Sequence, residues 1–151
     1  MTWSLRPVQA GDAEQVAAHG CHREEDAARQ PGYAAWVAPR IETGRYIGWL
    51  AIQDGVVVGG AGAVLLDWGP TRANPGGQMA RLVNVFTAEA LRGRGMAREL
   101  LRAVMQQCEG LGVREFNLGA TPEGRGLYRS LGFEDYPAEM RRRVTSGPAP
   151  G

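Results

Sequence analysis

Residues 91 to 97 read LRGRGMA, preceded by an apolar run, ARLVNVFT (80–87), and followed by a helix-patterned run, RELLRAVMQQCEGLG (98–112). Alternating glycine and arginine at a helix entrance is a pattern for holding anions. The first amides of a helix lack intrahelical partners, and the helix dipole adds partial positive charge there. Gly93 and Gly95 take away the Cβ atoms that would keep a ligand off those amides, while Arg92 and Arg94 add side-chain donors. A diphosphate, with two linked anionic groups and many acceptor oxygens, suits such a turn. A plain solvent-facing turn is the competing reading of so short a motif. Two other phosphate sites fail on the residues. A P-loop needs Gly-Lys-Ser or Gly-Lys-Thr, and the chain has no lysine. A dinucleotide turn needs a third helix-packing glycine and an acid closing the next strand; here Arg98 stands in the first place, and Glu115 falls near the start of its strand.

A second chemical stretch, GATPEGRGLYRSLGF (119–133), carries Tyr128. Thr121 and Pro122 suit the cap and first position of a short helix over 122–131. Gly124 and Gly126 within it each cost roughly 1 kcal/mol against alanine, which suggests a close neighbour. Tyr128 reads either as a packed aromatic or as an acid near a leaving group.

The elements that must position these residues follow from pattern. A first strand is expected at 4–9, then a helical stretch from Asp12 interrupted by Gly20, and a second helix around 33–42 weakened by Pro39. YIGWLAIQ and VVVGGAGAVLLDW flank Asp54-Gly55, the residue pair for a tight hairpin whose central positions both need positive φ. The Gly- and Pro-rich loop 67–78 is long enough to be functional or disordered. Next come a strand (80–87), a helix (95–111) and a strand (113–120), whose spacing makes a parallel crossover. In that helix Met96, Ala97, Leu100, Leu101, Val104, Met105, Cys108 and Leu111 share one face, so Cys108 is expected as a buried thiol rather than a nucleophile, and Gly112 suits the stop. The short helix, a last stretch AEMRRRV and an unstructured tail at 145–151 complete a single domain over 1–144.

With 17 basic and 16 acidic residues the net charge is +1, which favours neither nucleic acid nor a membrane surface. Cys21 and Cys108 make no disulfide framework, and no signal peptide or membrane span is visible, so a reducing cytoplasm is expected. His19, Cys21 and His22 lack a convincing fourth ligand, and no metal is expected.

The segments LVNVFT, LRGRGMARELL and GATPEGRGLYRSLGF together resemble the GCN5-related N-acetyltransferases (GNAT). Arg92, Gly95 and Ala97 match that family's phosphate-binding signature, and Leu127, Tyr128, Leu131, Gly132 and Phe133 match its second one. The resemblance implies an α/β (α+β) fold: a mixed, mostly antiparallel sheet with a central parallel crossover pair and helices on both faces. It implies acetyl-CoA as donor, with amides from Arg94 through Gly95, Met96 and Ala97 to Arg98 on the pyrophosphate, assisted by Arg92 and Gly93. By the same resemblance Val85, Phe86 and Thr87 pair with pantetheine, Thr121 and Gly124 lie near the cofactor, and Tyr128 is the general acid for the departing thiolate.

One feature departs from the family pattern. Some members carry a glutamate base on the strand before the glycine turn, where this chain has Arg81 and Asn84; Glu89, Asp67 or a water is left as base. For the acceptor, Tyr33, Trp36 and Trp68 are candidate pocket walls and Asp67 or Glu24-Glu25-Asp26 candidate attractors of a cationic amine, against plainer readings as core aromatics and a solvated face. The function expected is acetyl transfer to a primary amine of a small molecule or peptide by direct attack in a ternary complex. The alternative is an inactive acyl-CoA-binding sensor on the same fold. Homodimers are common in the resembling family.

Overall fold

The computed structural model describes residues 2–144, which form two compact units, one up to Gly119 and one from Ala120. The tail expected at 145–151 lies outside the described residues.

The first unit holds a five-stranded sheet in the order β1 (Ser4–Pro7), β2 (Tyr46–Gln53), β3 (Val56–Asp67), β4 (Gln78–Thr87), β5 (Glu115–Asn117). All neighbours are antiparallel except β4 and β5, which run parallel with Met79, Ala80 and Arg81 opposite Glu115, Phe116 and Asn117. The β2–β3 turn has Asp54 and Gly55 at φ 51° and 76°, both positive as the tight turn demands.

Helices cover both faces, and the small-residue run Gly59–Ala63 shows how. A Cβ on Gly59 would press on Met96 and Leu100 of α3 (Met96–Gly110), whereas one on Gly60 would strike His19 of α1 (Ala13–Gly20). Successive strand residues face opposite sides, so α3 packs on one and α1 on the other. Met96, Leu100, Leu101, Val104 and Cys108 fill the α3 layer. Ala13, Val16, Val37 and Tyr46 centre the other, with Val37 supplied by α2 (Gln30–Glu42). Burial pushes the Cys108 thiol up to about 11, as expected for a core cysteine.

Several boundaries differ from expectation. The parallel pair sits at one edge of the described sheet rather than at its centre, and β5 has three residues, not eight. Val113 is consumed by the end of α3: its N–H reaches the Cys108 carbonyl and the Gly112 N–H reaches Glu109, a pattern that needs the positive φ of Gly112. Leu111, expected on the buried face, falls in that stop and is exposed. The first helix ends at Gly20 and resumes only as a 3-10 turn over Glu24–Arg29. Asp12 precedes α1, but its carboxylate accepts from the Gln9 N–H and is gripped by Arg6, which holds it below the usual carboxylate range. Pro39 stays inside α2 because it and Ala35, whose carbonyl loses a donor, lie on the exposed side. Loop 67–78 is ordered around buried Asn74, which accepts from the Thr71 and Gly77 N–H groups through its carbonyl and donates to the Gln78 carbonyl.

In the second unit the short helix is α4 (Arg125–Ser130), three residues shorter at its start than expected. Thr121 instead closes the turn before it, accepting from the Gly124 N–H at both its carbonyl and its hydroxyl. Residues 138–144 form neither helix nor strand. Among the described residues no helix is long and apolar enough to cross a membrane.

Candidate active site

The end of β4 and the start of α3 are built as one continuous piece. Past Arg81, no strand pairs with β4 on its β5 side among the described residues, so Leu82 to Phe86 present an unused backbone edge. On the other side the ladder steps from Gly62–Val83 to Gly60–Phe86, leaving Asn84 and Val85 together opposite Ala61. This is a β-bulge, which removes one residue from the ladder and bends the strand. Asn84 takes the left-handed conformation there, at φ 57°.

Beyond Thr87 a 3-10 turn over Glu89–Leu91 leads into the glycines. The Arg92 Nε donates to the Thr87 carbonyl at 3.2 Å, tying the turn to the strand end. Gly93 and Gly95 have φ 77° and 87°, and nothing lies within 4 Å of where their Cβ atoms would be. Both glycines are therefore demanded by backbone conformation and open onto free space. Gly95 caps α3, and Met96 buries its side chain while residues 92–95 stay exposed. Among the described residues Arg94 and Arg98 make no ion pair, which leaves both guanidiniums available for an anion.

The α1 face of the bulge is lined by aromatics. The Asn84 Nδ2 donates to the hydroxyls of Tyr33 at 2.9 Å and Tyr46 at 3.0 Å. Trp36 lies 5.5 Å from Tyr33 between centroids, with the Arg40 guanidinium over its ring. Phe86 stacks on His19 at 4.6 Å and meets His22 edge-on. Burial draws His19 down to about 4, so this imidazole is neutral at physiological pH. The His22 Nδ1 bonds the His19 carbonyl, which fixes Nδ1 as the protonated nitrogen. Among the described residues no group of three metal-ligating side chains converges.

Of the expected acceptor residues, Tyr33 thus comes to the bulge, with Trp36 beside its ring, and Trp68 does not. Trp68 follows β3 at its far end, 61% exposed. Asp67 pairs with Gln78, seven residues along β4 from Val85, or roughly 20 Å at strand rise. That distance removes Asp67 from direct proton abstraction at the bulge, and its carboxylate accepts from the Gly69 N–H. Glu89 is exposed in the turn before Arg92. Glu24 and Glu25 are exposed in the segment just after His22, and Asp26 pairs with Arg29.

In the second unit, Tyr128 packs edge-on to Phe133 at 6.1 Å. The Phe133 N–H reaches the Tyr128 carbonyl and the Gly132 N–H reaches Arg129, with Gly132 at φ 95°. The Leu-Gly-Phe segment is therefore a helix stop that clamps its phenylalanine onto the tyrosine. A Cβ on Gly124 would come within 2.9 Å of the Tyr128 ring, so glycine there makes room for it; Gly126 faces open space and has no such neighbour. Burial raises the Tyr128 phenol above its ordinary value. Arg125 and Arg129 both grip Asp135.

Asn84, His19 and His22 were not among the residues expected to matter here. A polar Asn inside the apolar run LVNVFT was the available signal for the first; the His19-Cys21-His22 cluster is visible in the sequence but suggests a metal, not stacking on Phe86.

Comparison with known proteins gives a consistent picture. The family model described as Acetyltransferase (GNAT) family matches residues 11–133. The chain is 30% identical over 108 residues to an uncharacterized N-acetyltransferase, YjgM, of Escherichia coli (strain K12), covering 70% of this chain and 53% of that one. It thus spans about half the length of that relative. Among solved structures, a GCN5-related N-acetyltransferase from Ralstonia eutropha JMP134 superposes with a TM-score of 0.85 at 25% identity, covering 95% of this chain and 99% of that one. A predicted acetyltransferase from Clostridium acetobutylicum, solved with acetyl-CoA, superposes with a TM-score of 0.86 at 18% identity over 94% and 96% of the two chains.

Proposed function

The chain belongs to the GNAT acetyltransferase family, and from that premise we propose that residues 1–144 act as one domain transferring acetyl from acetyl-CoA to a primary amine of a small molecule or peptide. The observation that carries the donor assignment is the unpaired β4 edge running through its bulge into two left-handed glycines at the mouth of α3. An extended amide-bearing chain can pair with a free strand edge, and a diphosphate suits a helix N-terminus with open space before it. The presence of acetyl-CoA in the Clostridium acetobutylicum neighbour supports the same donor.

In this reading Val85, Phe86 and Thr87 offer backbone groups to pantetheine. Amides from Arg94 to Arg98 and the Arg92, Arg94 and Arg98 guanidiniums hold the pyrophosphate, with Gly93 and Gly95 setting the approach. A backbone N–H at the bulge, at Val85 or Phe86, polarises the thioester carbonyl. The amine, after losing its proton to Glu89 or an ordered water, attacks the carbonyl carbon directly; a C–N bond forms and the C–S bond breaks.

Tyr128, with Thr121 and Gly124, is assigned on the family resemblance of its segment, as hydrogen-bond donor to the departing thiolate. Reference values near 8.5 for a thiol and 10 for a phenol make full proton transfer uphill by about 2 kcal/mol, and burial of Tyr128 widens that gap. Tyr128 therefore shares its proton as charge develops, and solvent completes the protonation.

The test is calorimetry with acetyl-CoA followed by a thiol-release assay over a panel of alkylamines, aminoglycosides and peptides. Binding with release on at least one amine is expected. No heat of association overturns the donor assignment, and binding without release on any acceptor favours the sensor alternative.

A further inference from the structure

Asn84 is held more elaborately than a strand residue requires. Its left-handed φ of 57° is a conformation that side-chain-bearing residues avoid, though Asn tolerates it better than most. Its Nδ2 carries two N–H groups, and each is spent on a phenol oxygen from a different element: Tyr33 of α2 and Tyr46 of β2. Two glycines make room for this arrangement. A Cβ on Gly20, at the end of α1, would overlap the Asn84 Oδ1, and one on Gly62 in β3 would overlap the Tyr46 hydroxyl. Four elements around β4 thus shape themselves to one amide side chain. Tyr46 is buried, and burial raises its phenol strongly, as it raises Tyr33. Both stay neutral hydrogen-bonding groups.

For the left-handed backbone alone glycine would serve better, and a part-buried polar network costs stability unless every member is satisfied. What the network does fix is direction. It sits on the residue that opens the bulge, beside a stretch of β4 whose outer edge no strand takes up among the described residues. We propose that Asn84, gripped by the Tyr33 and Tyr46 hydroxyls, is a positioning residue that holds the β4 bulge so that its freed N–H group points at the thioester carbonyl oxygen of bound acetyl-CoA. This rests on the acetyl-CoA reading above. Asn84 itself touches no reacting atom; it sets the aim of the backbone group that does.

The experiment uses the full chain and acetyl-CoA carrying a 13C-labelled carbonyl. Isotope-edited infrared spectroscopy reads the carbonyl stretch of the bound thioester, calorimetry reads Kd, and slow thioester hydrolysis reads turnover without a known acceptor. In the wild type the band lies below that of free acetyl-CoA. In Asn84→Ala it moves most of the way back, with Kd within about threefold and turnover lower by ~10–100-fold, somewhat less than the loss on deleting an oxyanion donor outright. Asn84→Gly accepts the backbone angle but has no amide, and the same loss of band shift is expected; a wild-type band there overturns the role of the grip. Tyr33→Phe removes one hydroxyl from a half-buried ring and settles the matter if the Asn84 variants do not fold: a band partway back supports the proposal, and an unmoved band refutes it. Failure of the underlying reading shows separately, as a wild-type protein that binds no acetyl-CoA. A wild type that binds with the band unmoved sinks the positioning role together with the bulge N–H it would aim, and leaves the donor assignment standing.

Discussion

The sharpest quantitative prediction concerns Gly95. Its φ of 87° lies in the left-handed region, and a Cβ there meets nothing within 4 Å, so alanine costs conformation only. An L-residue pays roughly 1–2 kcal/mol in that region. For a chain of this size each kcal/mol moves Tm by about 2–4 °C, so Gly95→Ala should melt roughly 2–8 °C lower. Asn and Asp both tolerate left-handed backbone and have nearly the same shape, so Gly95→Asn and Gly95→Asp should resemble each other in stability. They differ by one negative charge at the mouth of α3. At 4 Å a pair of unit charges is worth about 1 kcal/mol in full water and ~4 at an effective dielectric of 20. The turn is exposed, so the lower figure applies. Two phosphate charges then give roughly 2 kcal/mol, about thirtyfold in Kd between the Asp and Asn variants. Calorimetry with acetyl-CoA, at matched ionic strength, measures this ratio. Equal affinities in two folded variants would refute the placement of the pyrophosphate at this turn.

Three further predictions follow from single residues. Tyr128→Phe should lower kcat by ~10²-fold or more with acetyl-CoA Kd little changed, and since burial raises the phenol, no alkaline loss of activity traceable to Tyr128 should appear below about pH 10; unchanged turnover removes it from the acid role. His19 is neutral in the fold at about 4 against roughly 6.5 unfolded, so its contribution is intact above pH 6.5 and is lost as pH falls toward 4, up to about 3 kcal/mol; urea unfolding over that range should show the slope in wild type and flatten it in His19→Gln. Gly62→Ala places a methyl where the Tyr46 hydroxyl sits and should cost ~1–3 kcal/mol in chemical denaturation.

What the sequence revealed was what local chemistry dictates. Asp54-Gly55 announced its turn because the residues that accept two positive φ angles in a row are few, and α3 announced itself by periodicity over its whole length. Gly112 and Gly132 mark helix stops for the same reason, and the second explains why a Leu-Gly-Phe segment accompanies Tyr128. Legibility ended where a residue's state depends on partners far along the chain. The strand expected over 113–120 keeps only the residues that β4 engages. Thr121 looked like a helix cap but closes the turn before the helix. Asn84 is left-handed at a bulge where residues 51 and 38 positions away receive its amide, a relation that no window of the sequence contains.

The kink in β4 also bears on solubility. A straight run of Leu82, Val83, Val85 and Phe86 with an open flank would be a template for strands of other molecules, the usual beginning of aggregation. Bending the run at Asn84 spoils that template without closing the flank to a slender ligand. A variant that straightened this segment would be expected to precipitate before it lost its helices, and acetyl-CoA in the buffer would be expected to delay that, because a lodged ligand occupies the very groups a stray strand would seek.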